Sequence, residues 1–203
     1  MIKRDERLKA LTQTDAPLWA QGVAFAGMDE AGRGPLAGNV VAACVMMPPQ
    51  PLLPWVDDSK KLSAKRRELV YEEIMAAALF VGVGEASPRE IDQYNILEAT
   101  KMAMRRAAQG APARLFLIDA LSGLGLPGEE RGMIHGDALC YSIAAASIIA
   151  KVTRDRQMIA LDREYPQYGF ARHKAYGTAQ HIAALREFGP CPAHRSTFIG
   201  HFV

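Results

Sequence analysis

The chain has 203 residues, enough for one domain with a full hydrophobic core. Apolar residues make up 49% and charged residues 23%, which excludes disorder as the main state. A net charge of +2 does not by itself indicate a polyanionic partner; from residue 144 onward, however, eight Lys/Arg stand against four Asp/Glu. That excess fits either a solvated surface or phosphate contacts.

In chain order, residues 1–20 include Lys3, Arg4, Asp5, Glu6, Arg7 and Lys9 without an apolar run, so they are expected to form a loose polar lead rather than a secretory leader. Apolar runs predict strands at about 22–29, 39–47, 79–86 and 114–119. Residues 48–58, with four prolines, read as linker. Helices are expected from near Ser63 through Met75, and from Ser87-Pro88-Arg89-Glu90, which has capping-box spacing. Another begins after Gly136-Asp137 and runs to about Glu164, where Tyr165-Pro166 stops it; the last spans Thr178 to Phe188 before Gly189-Pro190. Strands alternating with helices predict an α/β, three-layer core over residues 21–165 with a helical extension over 166–203. No apolar run of about 18 residues is present to span a bilayer. Cys44, Cys140 and Cys191 are too scattered for a disulfide framework or zinc site, so a reducing cytoplasmic setting is expected.

Two of the apolar runs end in acids, Asp29 with Glu30, and Asp119. If those strands are parallel neighbours, their carboxylates meet at one crevice outside the strand ends. Asp137 shares their setting beside glycine and small residues. Singly, each acid reads as a helix cap or solvated turn. Gathered together they repel, and a divalent cation relieves that repulsion. Oxygen-only ligation suits Mg²⁺ or Mn²⁺ better than Zn²⁺.

Gly32-Arg33-Gly34 allows close backbone approach to a ligand, with an arginine for a phosphate, or it is simply a tight turn. Lys60, in Asp58-Ser59-Lys60-Lys61-Leu62, reads as part of a charged loop. Arg172, Lys174 and Tyr176 gather cations around an aromatic ring, which suits a nucleic-acid backbone or a turn before the last helix.

These blocks resemble bacterial ribonuclease HII, the type 2 ribonuclease H family. The resemblance rests on residues 27–38, 58–62, Asn95-Ile96-Leu97, Ile118-Asp119, Gly136-Asp137, the run from Ser142 to Asp155, Tyr168-Gly169-Phe170 and His173 to Tyr176, in the family's order. It implies an RNase H-like fold, a five-stranded mixed sheet flanked by helices with a small helical C-terminal part. It also implies hydrolysis of RNA in RNA–DNA hybrids and nicking 5′ of single ribonucleotides in duplex DNA, by a chain expected to be monomeric.

By matching, Asp29, Glu30, Asp119 and Asp137 would hold two divalent ions, Mg²⁺ or Mn²⁺, in a two-metal hydrolysis leaving 3′-hydroxyl and 5′-phosphate ends. Gly32, Arg33 and Gly34 would read the ribose 2′-hydroxyl, and Tyr176 would stack on the following deoxyribose. Lys60, Arg33, Arg172 and Lys174 are expected to meet phosphates. Arg33 stands where the sister type, ribonuclease HIII, usually has Lys. Ala175 and Gly177 flank Tyr176 where the family commonly has Gly and Pro, Ala120 replaces a frequent Gly, and His135 a frequent Lys. Residues 122–133 are expected to form a mobile loop beside the site. Two rivals are a non-catalytic hybrid-binding module and a phosphate-loop hydrolase, the latter lacking its Gly-Lys-Ser/Thr ending.

Overall fold

The computed structural model describes residues 2–203. Two helices, α1 (Ile2–Leu11) and α2 (Asp15–Ala20), precede the antiparallel pair β1 (Phe25–Ala31) and β2 (Val40–Met46). Next come α3 (Ala64–Ala77), β3 (Phe80–Ala86), α4 (Pro88–Ala107), β4 (Leu115–Asp119) and β5 (Glu129–Met133). The chain continues through α5 (Gly136–Leu139) and α6 (Tyr141–Glu164) to the short helices α7 (Phe170–His173), α8 (Ala179–Phe188) and α9 (Ser196–Ile199).

Among the described residues the strands form one five-stranded mixed sheet in the order β3-β2-β1-β4-β5. β1 is antiparallel to β2 and parallel to β4, which is parallel to β5. The sheet is covered on one side by α4 and on the other by α6 and α3. The alanine-rich face of α6 lets it press against β1 so closely that a Cβ at Gly27 would lie 2.1 Å from the Ser142 carbonyl carbon. That contact fixes the height of α6 over the strand that carries Asp29 and Glu30.

Local chemistry sets the helix ends. Ser63 Oγ accepts from Arg66 N at the start of α3, and Ser87 with Glu90 forms a capping box at the start of α4. α4 bends at Asn95, whose φ is +67°, and Asn95 Oδ1 recaps the second half by accepting from the amides of Leu97 and Glu98.

Three expectations need correction. Residues 2–20 are not a loose lead but two helices, with Leu11 and Asp15 fully buried; Met1 lies outside the described residues. Asp15 accepts hydrogen bonds from Tyr141 N (2.9 Å), Ser142 N (3.0 Å) and Ser142 Oγ (2.6 Å), so it caps α6 from more than a hundred residues away. A carboxylate at a helix N-terminus meets free amides and the positive end of the helix dipole, which holds the lead down.

Residues 122–133 are not simply a loop, because 129–133 pair with β4 as an edge strand. Leu124 is buried, and the Glu130 carboxylate accepts from the amides of Leu124 and Leu126 at 2.8 Å each. The long helix expected to begin after Gly136-Asp137 starts only at Tyr141, because the extended φ of −133° at Cys140 separates α5 from α6.

Residues 166–203 fold back onto the segment after β1, burying Leu36 and Ala37 among Tyr168, Phe170, Ala175, Leu185 and Ile199. Among the described residues no helix is long and apolar enough to cross a membrane.

Candidate active site

β1 and β4 are parallel neighbours with Met28 opposite Ile118, so the next residues, Asp29 and Asp119, lie side by side at the same end of the sheet. Asp137 enters from the first turn of α5, where His135 at φ +58° turns the chain. One carboxylate oxygen from each of Asp29, Asp119 and Asp137 lies within 4.8 Å of the others. Glu30 follows Asp29 on the same strand, which runs on to Ala31 rather than ending at Asp29.

A cavity of about 190 Å³ opens at this point, lined by Asp29, Glu30, Gly32, Asp119 and Tyr176 with Ser59, Lys60, Ser147, Lys151 and Arg154 among others. A wider cleft of about 500 Å³ lies near Gly38 and Asn39, but among the described residues it brings no trio of cation ligands together.

The acids are held under strain of charge. Burial first, then the charges of Glu30 and Asp119, push the Asp29 carboxyl well above its ordinary range. Burial also raises Glu30, although Arg33 Nη1, 3.3 Å from Oε1, partly restores its charge. Asp119 is raised by burial and by the charge of Asp137, against the hydrogen bond its Oδ1 accepts from Gly136 N at 2.7 Å. Lys60 Nζ stands 3.2 Å from Asp137 Oδ2; that hydrogen bond and charge outweigh burial and raise the lysine's pKa.

Glu30 Oε2 is buried without a hydrogen-bond partner. A buried, unpaired carboxylate oxygen beside three gathered carboxylates is the arrangement a hard divalent cation satisfies, and the oxygen-only donor set suits Mg²⁺ or Mn²⁺.

The other residues singled out from sequence divide into two groups. Gly32, Lys60 and Tyr176 line the cavity; Arg33 reaches Glu30; and a Cβ at Gly34 would lie 3.6 Å from the Tyr176 ring. Tyr176 is 50% exposed, its ring free to meet a ligand, while its carbonyl accepts from His181 Nδ1 at 3.0 Å. Arg172 and Lys174 do not line the cavity: Arg172 bonds Gln180 at 3.4 Å, and Lys174 Nζ turns back to the Ala171 carbonyl.

Sequence reasoning singled out neither Ser147, Lys151 nor Arg154, which reach the cavity from α6. Ser147, Lys151 and Arg154 share one face at i, i+4 and i+7, but the polar second half of the helix, Thr153 to Gln157 and Asp162 to Glu164, obscures that pattern.

The family model described as Ribonuclease HII matches residues 26–201. A Ribonuclease HII of Desulfitobacterium hafniense (strain DSM 10664 / DCB-2) is 51% identical over 196 residues, covering 95% of this chain and 75% of that protein. Among solved structures, the ribonuclease H2 from Pyrococcus horikoshii OT3 superposes with a TM-score of 0.72 at 24% identity, covering 89% of this chain and 99% of that one. The RNase HII of Archaeoglobus fulgidus, solved as a complex with PCNA, gives a TM-score of 0.71 at 26% identity over 85% and 93% of the two chains. The sheet order and flanking helices are thus those of the RNase H-like fold. With the family model spanning nearly the whole chain and half of its residues identical to a named relative, the chain belongs to the ribonuclease HII family and is a ribonuclease H enzyme.

Proposed function

We propose that the chain hydrolyses the RNA strand of RNA–DNA hybrids and nicks duplex DNA on the 5′ side of an embedded ribonucleotide, leaving 3′-hydroxyl and 5′-phosphate ends. The observation that carries this reading is the convergence of Asp29, Asp119 and Asp137 within 4.8 Å, with Asp29 and Asp119 lining a cavity shared with Gly32 and Tyr176. Phosphodiester cleavage calls for the first feature and recognition of a ribose in a duplex for the second.

Asp29, Glu30, Asp119 and Asp137 would hold two divalent ions, Mg²⁺ or Mn²⁺. When bound, such ions activate the attacking water and neutralise the departing 3′-oxygen. Asp29, central on β1 and nearly buried, orients the group through the hydrogen bond that its Oδ1 accepts from Glu30 N at 2.7 Å. Lys60, whose side chain is largely exposed, swings from Asp137 to the scissile phosphate.

The backbone at Gly32 to Gly34 reads the 2′-hydroxyl, the group that separates RNA from DNA. A deoxy substrate leaves those amides unpaired, a mismatch of about 1–3 kcal/mol per buried group. Tyr176 packs on the sugar that follows. Arg172 and Lys174 meet duplex phosphates outside the cavity, so binding weakens as salt rises. The chain would act as a monomer, and the three free cysteines suit a cytoplasmic setting.

The test offers a DNA duplex containing one ribonucleotide, with and without Mg²⁺ or Mn²⁺. Cation-dependent nicking 5′ of the ribonucleotide, abolished by Asp137→Asn, is the expected result. Binding without a cut would instead mark a hybrid-binding module.

A further inference from the structure

Arg195 is fully buried, and every hydrogen bond of its guanidinium goes to a backbone carbonyl of the segment after β1. Nη2 donates to Gly32 O (2.7 Å) and Gly38 O (2.8 Å), Nη1 to Arg33 O (3.0 Å) and Pro35 O (2.7 Å), and Nε to Gly38 O (3.0 Å). The guanidinium lies over the Phe198 ring, 5.2 Å from its centroid. Arg154, also buried, binds Ala37 O, Asn39 O and Lys174 O at 3.1 Å each.

Neither arginine has a carboxylate in ion-pair range among the described residues. Burial lowers Arg195 to about 9 and Arg154 to about 10. Such a charge is expensive to bury, and a hydrophobic residue of similar size would fill the space more cheaply. What only a planar fork of donors supplies is a fixed direction for several carbonyls at once.

That direction has a chemical consequence. In a trans peptide the C=O of one residue and the N–H of the next point opposite ways. With the carbonyls of Gly32 and Arg33 drawn inward to Arg195, the amides of Arg33 and Gly34 face outward, and neither donates to a backbone carbonyl among the described residues. Gly34 itself borders Tyr176, since a Cβ there would lie 3.6 Å from the ring.

We infer that Arg195 is a positioning residue for ribose recognition: from the C-terminal segment it holds the carbonyls of Gly32 and Arg33 inward, so that the amides of Arg33 and Gly34 are presented to the 2′-hydroxyl. The inference rests on the ribonucleotide-nicking reading proposed above. The backbone bridge between Ala37 and His194, with Arg195 N donating to Leu36 O at 2.9 Å, keeps the segment docked without the guanidinium. A shorter side chain therefore loosens the loop's carbonyls before it undocks the tail.

The experiment compares the unaltered enzyme with Arg195→Lys on two duplexes, one with a single ribonucleotide and one all-DNA duplex as competitive inhibitor, with Mn²⁺ present. In Arg195→Lys, KM for the ribonucleotide duplex rises about tenfold, Ki for the all-DNA duplex stays within twofold, and the Mn²⁺-dependent rise in melting temperature is kept. A structural role alone would lower the active fraction, hence kcat, and leave KM unmoved. Equal changes in KM and Ki, or none in either, overturn the inference. Phe198→Leu, which removes the ring under the guanidinium and keeps every donor, moves KM the same way by a smaller factor, and it decides the matter if Arg195→Lys does not fold. An unaltered enzyme that cuts neither duplex refutes the nicking reading itself, a result distinct from a cutting enzyme whose KM ignores Arg195.

Discussion

Nζ of Lys60 lies 3.2 Å from Oδ2 of Asp137, yet the lysine side chain is 80% exposed while the aspartate is nearly buried. The lysine therefore neutralises the acid cluster from the solvent side, where an exposed ion pair is worth about 0–1 kcal/mol. Removing it leaves the carboxylates more repulsive and the cation more welcome. Lys60→Ala should tighten Mn²⁺ binding by no more than about fivefold, read by calorimetry, while weakening duplex binding.

Asp29 should behave in the opposite sense. Burial and its acidic neighbours destabilise its charge, so Asp29→Asn is expected to raise the melting temperature of the cation-free protein by several degrees. Saturating Mn²⁺, at about a hundred times its Kd, stabilises the unaltered chain by about 2.7 kcal/mol, or about 5–10 °C. The variant loses most of that gain and cuts at least about a thousandfold more slowly, as a paired melting and nicking assay would record.

Gly32 has a φ of +98°, and a Cβ there would sit 2.1 Å from Arg154 Nε. Gly32→Ala must displace a buried arginine as well as strain the backbone, so a loss of about 1–3 kcal/mol is expected in urea unfolding. Binding of the ribonucleotide duplex should suffer more than binding of plain DNA.

Ala120 sits at φ +48° and is exposed, directly after Asp119. Left-handed backbone strains alanine by about 1–2 kcal/mol, whereas greater freedom in the unfolded chain returns part of that when glycine is introduced. Ala120→Gly should stabilise the fold by about 0.5 kcal/mol without changing the nicking rate, as urea unfolding and kinetics would test.

His181 and His194 form a neutral relay behind Tyr176. His181 Nδ1 donates to the Tyr176 carbonyl, His194 Nε2 meets His181 Nε2 at 3.0 Å, and Cys191 N donates to His194 Nδ1 at 3.0 Å. Both nitrogens of His194 are thus engaged in the neutral state. Burial, and then the neighbouring His181, lower His194 to about 4, and burial lowers His181. The unfolded chain takes protons on both from about pH 6.5, so their contribution is intact above that pH and lost as pH falls toward 4. Asp29, Glu30 and Asp119, all raised, change stability the other way. The histidine contribution is therefore the difference between melting curves of the unaltered chain and His194→Gln, which should narrow as pH drops from 7 to 4.5.

Much of this site was legible in the sequence. Asp29 and Asp119 each follow an apolar run, and parallel pairing of the two strands makes the carboxylates meet. Asp137 was singled out by its setting beside glycine and small residues, although a Gly-Asp pair at a helix start is ordinary by itself. β5 was hidden because Glu-Glu-Arg-Gly-Met on an exposed edge has no apolar alternation. Asp15 and Arg195 were hidden for another reason: their hydrogen-bond partners lie more than a hundred residues away, and no local pattern encodes such a contact. Ala120 and Ala175 both have positive φ, the left-handed backbone that favours glycine.

The most direct measurement is the anomalous difference map of a crystal soaked in Mn²⁺. A peak within about 2.5 Å of carboxylate oxygens from Asp29, Asp119 and Asp137 together, absent in Asp29→Asn, is the predicted result. An empty map at saturating Mn²⁺, or acids turned to different sides of β1, would contradict a cation-dependent nuclease built on these residues.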